Sequence, residues 1–442
     1  MKTVITPARC IDAVATPDLE TRVYAKVTRR LVPFLMLCYL GAYLDRVNVG
    51  FAKLQMLSDL QWSDTVYGLG AGVFFLGYFL FEVPSNMILH RVGARIWIMR
   101  IMVTWGIASS CTMFVTSEMG FYFIRFLVGA LEAGFVPGAL YYFTKWFPSK
   151  RRGRINTIFM SGIAFCGVIG GPISGGIMKF TDGAMGLQGW QWLFLLEGIP
   201  SIILGIIVWF HLDDEIKDAK WLPAGDKKFW SDLVSGDAKE ADAHHFGAAL
   251  REPATYTLSL IYMCLAGGIY GLVFWMPQLI KTAGTQDTFT IGLISSIPYL
   301  VAGVVMILLG KTSDRTGERR WHLALTALAG GIGYFICGMY SAHTTALLVG
   351  LTIAATGVIS AIGLFWVFPQ RFLTGMAAAA GIALINSIGQ LGGLISPYMV
   401  GKVKDVTGSA SMGLYALAAA LVVSFVVIAW GLPKRYYVRT KV

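Results

Sequence analysis

Apolar runs of about 20 residues or more, separated by short charged clusters, set the rhythm of the chain. A run of that length crosses a hydrocarbon layer about 30 Å thick when it is coiled into an α-helix. Such runs fall at roughly 31–52, 66–89, 96–116, 120–143, 155–179, 190–211, 254–280, 289–309, 321–340, 345–368, 376–400 and 411–431. The pattern predicts about twelve membrane-spanning helices and no separate globular domain. Between the sixth and seventh runs lies a polar segment, 212–253, rich in Asp, Glu, Lys and Ala. It predicts a partly helical linker joining an N-terminal six-helix bundle (1–211) to a C-terminal one (254–442).

The two halves resemble each other. Gly167-Val-Ile-Gly-Gly-Pro-Ile-Ser174 aligns with Gly389-Gln-Leu-Gly-Gly-Leu-Ile-Ser396 at an offset of 222 residues, Phe147-Pro148 with Phe368-Pro369 at 221, and Arg91-Val-Gly-Ala-Arg95 with Arg315-Thr-Gly-Glu-Arg319 at 224. Three matches at nearly one offset indicate an internal repeat. A repeat of six helices returns the chain to the same side, so the halves have parallel topology about an axis along the membrane normal. A transported substrate is then expected between them, near mid-membrane.

Composition agrees: 56% of residues are hydrophobic and only 14% charged, well under the ~25% of soluble domains. The net charge of +11 does not call for nucleic acid, because the basic residues alternate by loop. One set of loops holds Lys26, Arg29 and Arg30; Arg91 and Arg95; Lys150, Arg151, Arg152 and Arg154; Lys311, Arg315, Arg319 and Arg320; and Lys434, Arg435 and Arg439. The other set offers Lys53, Lys179 and Lys281, with Lys402 and Lys404 beside Asp405 as an exception. By the positive-inside rule both termini are expected in the cytoplasm. The first 30 residues are polar and the first apolar run is long enough to span, so no cleavable leader is read. Six scattered cysteines (10, 38, 111, 166, 264 and 337) lack CxxC spacing and His partners. They read as packing residues, and neither a metal nor another cofactor is expected.

Charges inside the apolar runs carry the candidate chemistry. Asp45 and Arg46 fall in the first run, Arg125 and Glu132 in the fourth. Each costs about 2.5–3.5 kcal/mol at a helix centre, so each is expected to face a cavity or a partner. Adjacent Asp45 and Arg46 also admit a structural reading, as a pair that neutralises itself. Arg125 and Glu132 are two turns apart on one helical face, about 10 Å along the axis. An arginine fork suits a carboxylate, which it binds through two charge-assisted hydrogen bonds. A carboxyl group near such a cation can hold a proton that responds to the anion's arrival.

Short motifs carry a resemblance. Gly310-Lys-Thr-Ser-Asp314-Arg315-Thr-Gly317-Glu-Arg319-Arg320, between the eighth and ninth runs, resembles the cytoplasmic loop signature of the major facilitator superfamily. Its earlier copy carries His90 where an acid is expected. Tyr43-Leu-Asp45-Arg46-Val-Asn48, Gly77-Tyr78 with Glu82-Val-Pro84-Ser-Asn86, Arg125-Phe-Leu-Val-Gly129-Ala-Leu-Glu132-Ala-Gly134, Gly189-Trp-Gln-Trp192-Leu-Phe-Leu-Leu-Glu197-Gly198 and Asn386-Ser-Ile-Gly389 are similar to the anion:cation symporters of that superfamily, among them bacterial tartrate, phthalate and 4-hydroxyphenylacetate permeases. The resemblance implies an all-α fold of two six-helix bundles that rock around a central site and take up a small organic acid with protons. The implied location is a bacterial inner membrane, and no partner subunit is needed for the pathway. It implies Arg46 and Arg125 as anion ligands, with Tyr43, Tyr78, Trp366 and Asn386 at or near the substrate. Asp45 and Glu132 are implied as proton carriers, and Asp314, Arg315 and Arg319 as a conformational latch. Tyr270, Phe274 and Trp275 form an aromatic cluster in the seventh run, while Glu82 and Glu197 read as structural pairs with neighbouring helices. Gly170-Gly171-Pro172-Ile-Ser174-Gly175-Gly176 resembles a motif of exporting antiporters, but small residues four apart are also a general means of close helix packing. Export therefore stands as the alternative to uptake. An enzyme is not expected, since no metal cluster, nucleophile elbow or phosphate loop is present.

Overall fold

A computed structural model describes residues 17–238, 252–369 and 375–432. Cys10, the basic cluster Lys434, Arg435 and Arg439, and linker residues 239–251 lie outside them. The described residues are helical throughout, joined by short turns: α1 (Pro17–Leu60), α2 (Asp64–Val92), α3 (Ala94–Cys111), α4 (Glu118–Glu132), α5 (Phe135–Trp146), α6 (Ser149–Met160), α7 (Gly162–Phe180), α8 (Gly189–His211), α9 (Ala224–Ala238), α10 (Pro253–Thr282), α11 (Thr288–Thr316), α12 (Arg320–Met339), α13 (Thr344–Phe365), α14 (Gly375–Thr407) and α15 (Ser411–Val426). Eleven spans are long and apolar enough to cross a membrane, and α14, 33 residues long, makes the twelfth.

Most boundaries lie close to the apolar runs, and the differences have local causes. The first helix begins 14 residues earlier than the run and continues to Leu60, because charged and polar residues extend a helix beyond the hydrocarbon without ending it. Span four divides into α4 and α5. Gly134 there is left-handed (φ 95°), and an added Cβ would meet the Ser85 hydroxyl. Span five is likewise α6 followed by α7. Side chains stop the exposed N–H groups at several helix starts: Ser63 accepts from Val66 N (3.2 Å), Ser117 from Gly120 N (3.2 Å) and Asp287 from Thr290 N (2.9 Å). At the start of α3, Asp214 from the chain after α8 accepts from Arg95 N at 2.9 Å. It thus supplies, from a distance in sequence, the acid that His90 does not. A negative charge there meets the positive end of the helix dipole.

The linker's described part packs on the N-terminal half. Helix α9 buries Trp230, whose indole N–H donates to Trp146 O (2.8 Å), and Trp221 stacks on the Trp146 ring. Large apolar side chains such as Phe114, Phe123, Leu300 and Trp430 point outward and exposed, as expected where lipid is the solvent. Of the five described cysteines, those at 38, 166, 264 and 337 are buried in helix packing, and Cys111 is exposed.

Contacts between the halves run through α7 against α11, α2 against α14 and α1 against α10. Gly171 and Gly292 meet backbone to backbone: an added Cβ at 171 would lie 2.6 Å from Gly292 O, and the reverse approach is closer still. The glycine-rich stretch 170–176 therefore has a packing role. Polar contacts bolt together the end of the interface that lies away from the basic loops. Lys179 pairs with Asp287 (2.7 Å), Lys281 donates to Leu54 O (2.7 Å), and Asp405 accepts from Asp64 N (3.1 Å) and Thr65 N (2.7 Å). Lys53, read from sequence as a loop lysine, is inside α1 and 2% exposed. Its ammonium pairs with Asp64 (2.6 Å) and lies 3.2 Å from the Trp275 ring centroid and 4.4 Å from that of Tyr67. Lys404 pairs with the other Asp64 oxygen at 2.8 Å. Lys53, Lys179, Lys281 and Lys404 are thus interface residues, while Lys402 of the exceptional pair is exposed.

Candidate substrate and coupling site

Helices α1, α2 and α4 of one half and α10 and α14 of the other enclose a buried polar centre. Arg125 and Glu132 both lie on α4 and both are 1% exposed. Arg46 on α1 pairs with Glu132 and donates from Nη1 to the Tyr270 hydroxyl on α10 at 3.2 Å, so one guanidinium joins the two halves. The Phe74 ring lies 5.3 Å from the Arg46 guanidinium carbon and 5.1 Å from that of Arg125, and the Tyr78 ring 5.4 Å from that of Arg46. Aromatic faces thereby stabilise both cations.

Arg125 differs from Arg46 in having no described carboxylate as partner. Its Nε and Nη2 are buried without a hydrogen bond among the described residues, as is Oε2 of Glu132. Unmade hydrogen bonds to a buried charge cost more than those to a neutral group. The arrangement is suited to an external anion.

Asp45, although next to Arg46 in sequence, does not pair with it. Successive side chains on a helix diverge by about 100°, and Asp45 turns into the N-terminal half. There it accepts from Trp105 Nε1 (2.9 Å), Ser109 Oγ (2.7 Å) and Ser201 Oγ (2.7 Å) and is fully buried. The self-neutralising pair is therefore not formed, and Arg46 does not hold the Asp45 carboxyl. Glu197 is buried in the same half and accepts from Ser174 Oγ at 2.7 Å.

The remaining candidates are distributed around this centre. Tyr43 is buried and borders a small void with Val47, Cys166, Val273, Ser295 and Tyr299, away from the arginine pair. Trp366 follows the end of α13, edge-on to Tyr262 (4.8 Å between centroids). Asn386 donates to Glu82 Oε1 (2.8 Å) and Ser387 to Glu82 Oε2 (3.2 Å), a contact between α14 and α2. At the basic-loop end, Arg319 pairs with Asp314 within their own loop (2.9 Å), and Asp314 and Arg315 are exposed. No described partner from the other half engages this pair.

Sequence reasoning missed the three donors on Asp45. Trp105 and Ser109 are one turn apart in span three, a polar pair within an apolar run, and that spacing was the available signal. The bridge from Arg46 to Tyr270 had no signal, because it depends on how the halves meet.

The family model described as Major Facilitator Superfamily matches residues 35–397. The chain belongs to that superfamily. It is a multi-pass membrane transporter and not an enzyme. The chain is 50% identical over 409 residues to "Putative metabolite transport protein NicT" of Pseudomonas putida, covering 92% of this chain and 94% of that one. It is 47% identical over 413 residues to a "Putative tartrate transporter" of Agrobacterium vitis, covering 93% and 94%. It is also 39% identical over 427 residues to a "Quinolone resistance transporter" of Acinetobacter baumannii, covering 96% of each. The structure of the inward open conformation of the xylose transporter XylE from E. coli superposes with a TM-score of 0.74 at 14% identity, covering 95% of this chain and 98% of that one. At that identity the likeness concerns the fold.

Proposed function

We propose that this transporter takes up a small organic anion, a tartrate-like hydroxydicarboxylate or an aromatic carboxylate, together with protons across a bacterial inner membrane. The observation that carries the reading is Arg125: a buried guanidinium that shares the Phe74 ring with Arg46, with two donor nitrogens lacking any described partner. A tartrate transporter among the close relatives supports the same substrate class.

In this reading the anion binds Arg125 and draws Arg46 from Glu132, with Tyr78, Trp366 and Asn386 completing the walls and Tyr43 supporting α1 behind them. An anion entering a cell with a negative interior is opposed by about 2.3 kcal/mol per charge per 100 mV, and protons compensate. Glu132 takes one as Arg46 turns to the substrate, and Asp45 is the second carrier. Both termini and the linker are cytoplasmic, so the bolted end faces outward and this conformation opens inward. Asp314, Arg315 and Arg319 then latch the opposite, outward-open state. The monomer contains the whole pathway.

The test compares counterflow with uptake driven by a pH gradient in vesicles containing Glu132→Gln. Exchange should persist and gradient-driven accumulation should vanish; full accumulation would remove Glu132 as a proton carrier. The quinolone-resistance relative favours export as the second reading. Acid outside wild-type vesicles, with the carrier's cytoplasmic face inside, drives labelled acid inward under the first reading and outward under the second.

A further inference from the structure

Glu82 was read from sequence as a structural group, yet its surroundings match those of a bound ligand. It is 4% exposed on α2, and both its oxygens are held by α14 of the other half: Asn386 Nδ2 at 2.8 Å and Ser387 Oγ at 3.2 Å. No lysine or arginine pairs with it among the described residues. Glu82 is also the third member of a stripe on α2, with Phe74 and Tyr78 at four-residue spacing. Phe74 lies against both site arginines and Tyr78 against Arg46. Arg46 lies equally near the Phe74 and Tyr78 rings, so a rise of about 9 Å, six residues from their midpoint, separates its level from Glu82. A short dicarboxylate with a hydrogen bond at each end spans that distance.

We propose that Asn386 and Ser387 form a second carboxylate subsite, that Glu82 fills it in this conformation as a built-in competitor, and that a dicarboxylate substrate displaces Glu82, which leaves carrying a proton. The inference rests on the uptake of an organic anion proposed above. Two carboxylates beside the same two neutral donors repel each other, and a proton on one removes that repulsion. Arg46 from α1, Tyr78 from Glu82's own helix and Tyr262 from α10 are the titratable groups that act on or feel Glu82. Among the described residues the α14 face offers only the amide and the hydroxyl. Of the three, only Arg46 is a cation, and the substrate's first carboxylate engages it. A monocarboxylate held at Arg125 and Arg46 has no reason to displace Glu82. Dicarboxylate binding therefore takes up one proton more than monocarboxylate binding.

The experiment measures binding to the purified full-length transporter between pH 6.5 and 8, where the free acids are ionised, for three matched pairs: tartrate with glycerate, succinate with butyrate, and phthalate with benzoate. For the wild type, dicarboxylate affinity should fall with pH more steeply than that of the matched monocarboxylate, by up to tenfold per pH unit. Glu82→Gln should abolish the extra steepness and leave the monocarboxylate's slope as it was. Glu82→Ala empties the subsite instead of filling it with an amide; it should tighten the dicarboxylate several-fold at pH 8 while sparing its partner, which provides a readout if Glu82→Gln folds poorly. Equal slopes for both members of every pair, or an equal effect of Glu82→Gln on both, would overturn the subsite while leaving anion uptake intact. Failure of the wild type to bind any acid of the panel would overturn the parent reading and the subsite with it.

Discussion

Asp64 offers the clearest measure of what holds the bolted end shut. Its two carboxylate oxygens take Lys53 at 2.6 Å and Lys404 at 2.8 Å. Lys53 and Asp64 belong to the same half, so their bond survives when the halves part; the link to Lys404, the contact of Lys53 with Trp275 and the backbone bonds to Asp405 are lost. Asp64→Asn acts on that difference by removing the Asp64–Lys404 attraction, which at 16% and 21% side-chain exposure contributes about 1 kcal/mol, the upper end for exposed pairs. The repulsion between the two ammonium groups is the same before and after the change and cancels from the difference. The closed end should lose about 1 kcal/mol, or roughly a 5-fold shift toward the open arrangement. Spin labels at exposed Ser58 and Ser409, in a Cys111→Ser background, report the separation of the halves at this end by electron–electron double resonance. The long-distance population should rise by about that factor in Asp64→Asn. An unchanged distance distribution would show that the Asp64–Lys404 pair does not help to close this end.

Three further outcomes follow from the geometry. Arg125→Lys keeps the charge and loses the planar fork, so the affinity for the transported acid should fall at least tenfold; normal affinity would remove Arg125 from the site. Gly134→Ala places a Cβ at φ 95° against Ser85, costing at least about 1–2 kcal/mol, and should lower the melting temperature in detergent by several degrees; wild-type melting would mean that the α4–α5 break is not set by glycine. Asp287, outside the spans, is held down to about 2, first by hydrogen bonding to Lys179 and then by the bonds from Thr290. A carboxyl depressed in this way contributes fully above its ordinary value near 4 and is lost only as pH falls through about 2. Its bond across the halves should thus be constant from pH 5 to 8, and Asp287→Asn should leave the shape of the pH profile of transport unaltered, which initial-rate uptake across that range will check.

Hydrophobic length alone located the spans, since a membrane helix must satisfy its backbone internally and stay apolar for about 20 residues. The breaks within spans four and five were not legible. Gly134 sits in a run whose apolar character does not change across it, and the left-handed turn and the close approach of Ser85, which leaves no room for a Cβ, emerge only in the packed structure. Among the charges, energetic cost was legible but direction was not. Asp45 and Arg46 carry equal warnings in an apolar run, yet one faces serines and an indole inside its own half and the other reaches across to Tyr270. Helical phase would have separated the two side chains, but which neighbour each meets depends on the packing of α3 and α8 on one side and α10 on the other. Lys53 was misplaced for a related reason: a lysine at the end of an apolar run normally marks the membrane edge, whereas here Trp275, Tyr67 and Asp64 stabilise its charge inside the interface.

In the proposed reading, Arg46 is where binding and movement connect. Its guanidinium is shared between Glu132 in one half and Tyr270 in the other, so any anion that recruits it acts on both bonds together. Loss of the Glu132 bond leaves a buried carboxylate whose repulsion from the incoming anion a proton relieves. Loss of the Tyr270 bond removes a polar tie between the halves at the level of the site, while the ties of Lys53, Asp64 and Lys404 remain at the bolted end. On the proposed reading, substrate alone then loosens the centre without opening the bolted end, and release inward or return follows only after the centre is satisfied again, by anion with proton or by Glu132 itself. A carrier arranged in this way resists moving one ligand without the other, because the half-loaded state leaves Arg46 or Glu132 charged, buried and unpartnered. Arg46→Ala removes the shared group, and the expectation is a protein that binds the acid weakly at Arg125, leaks protons through Glu132, and shows no coupling between the two fluxes. Proton flux that still depends on the acid in Arg46→Ala vesicles would place the link elsewhere.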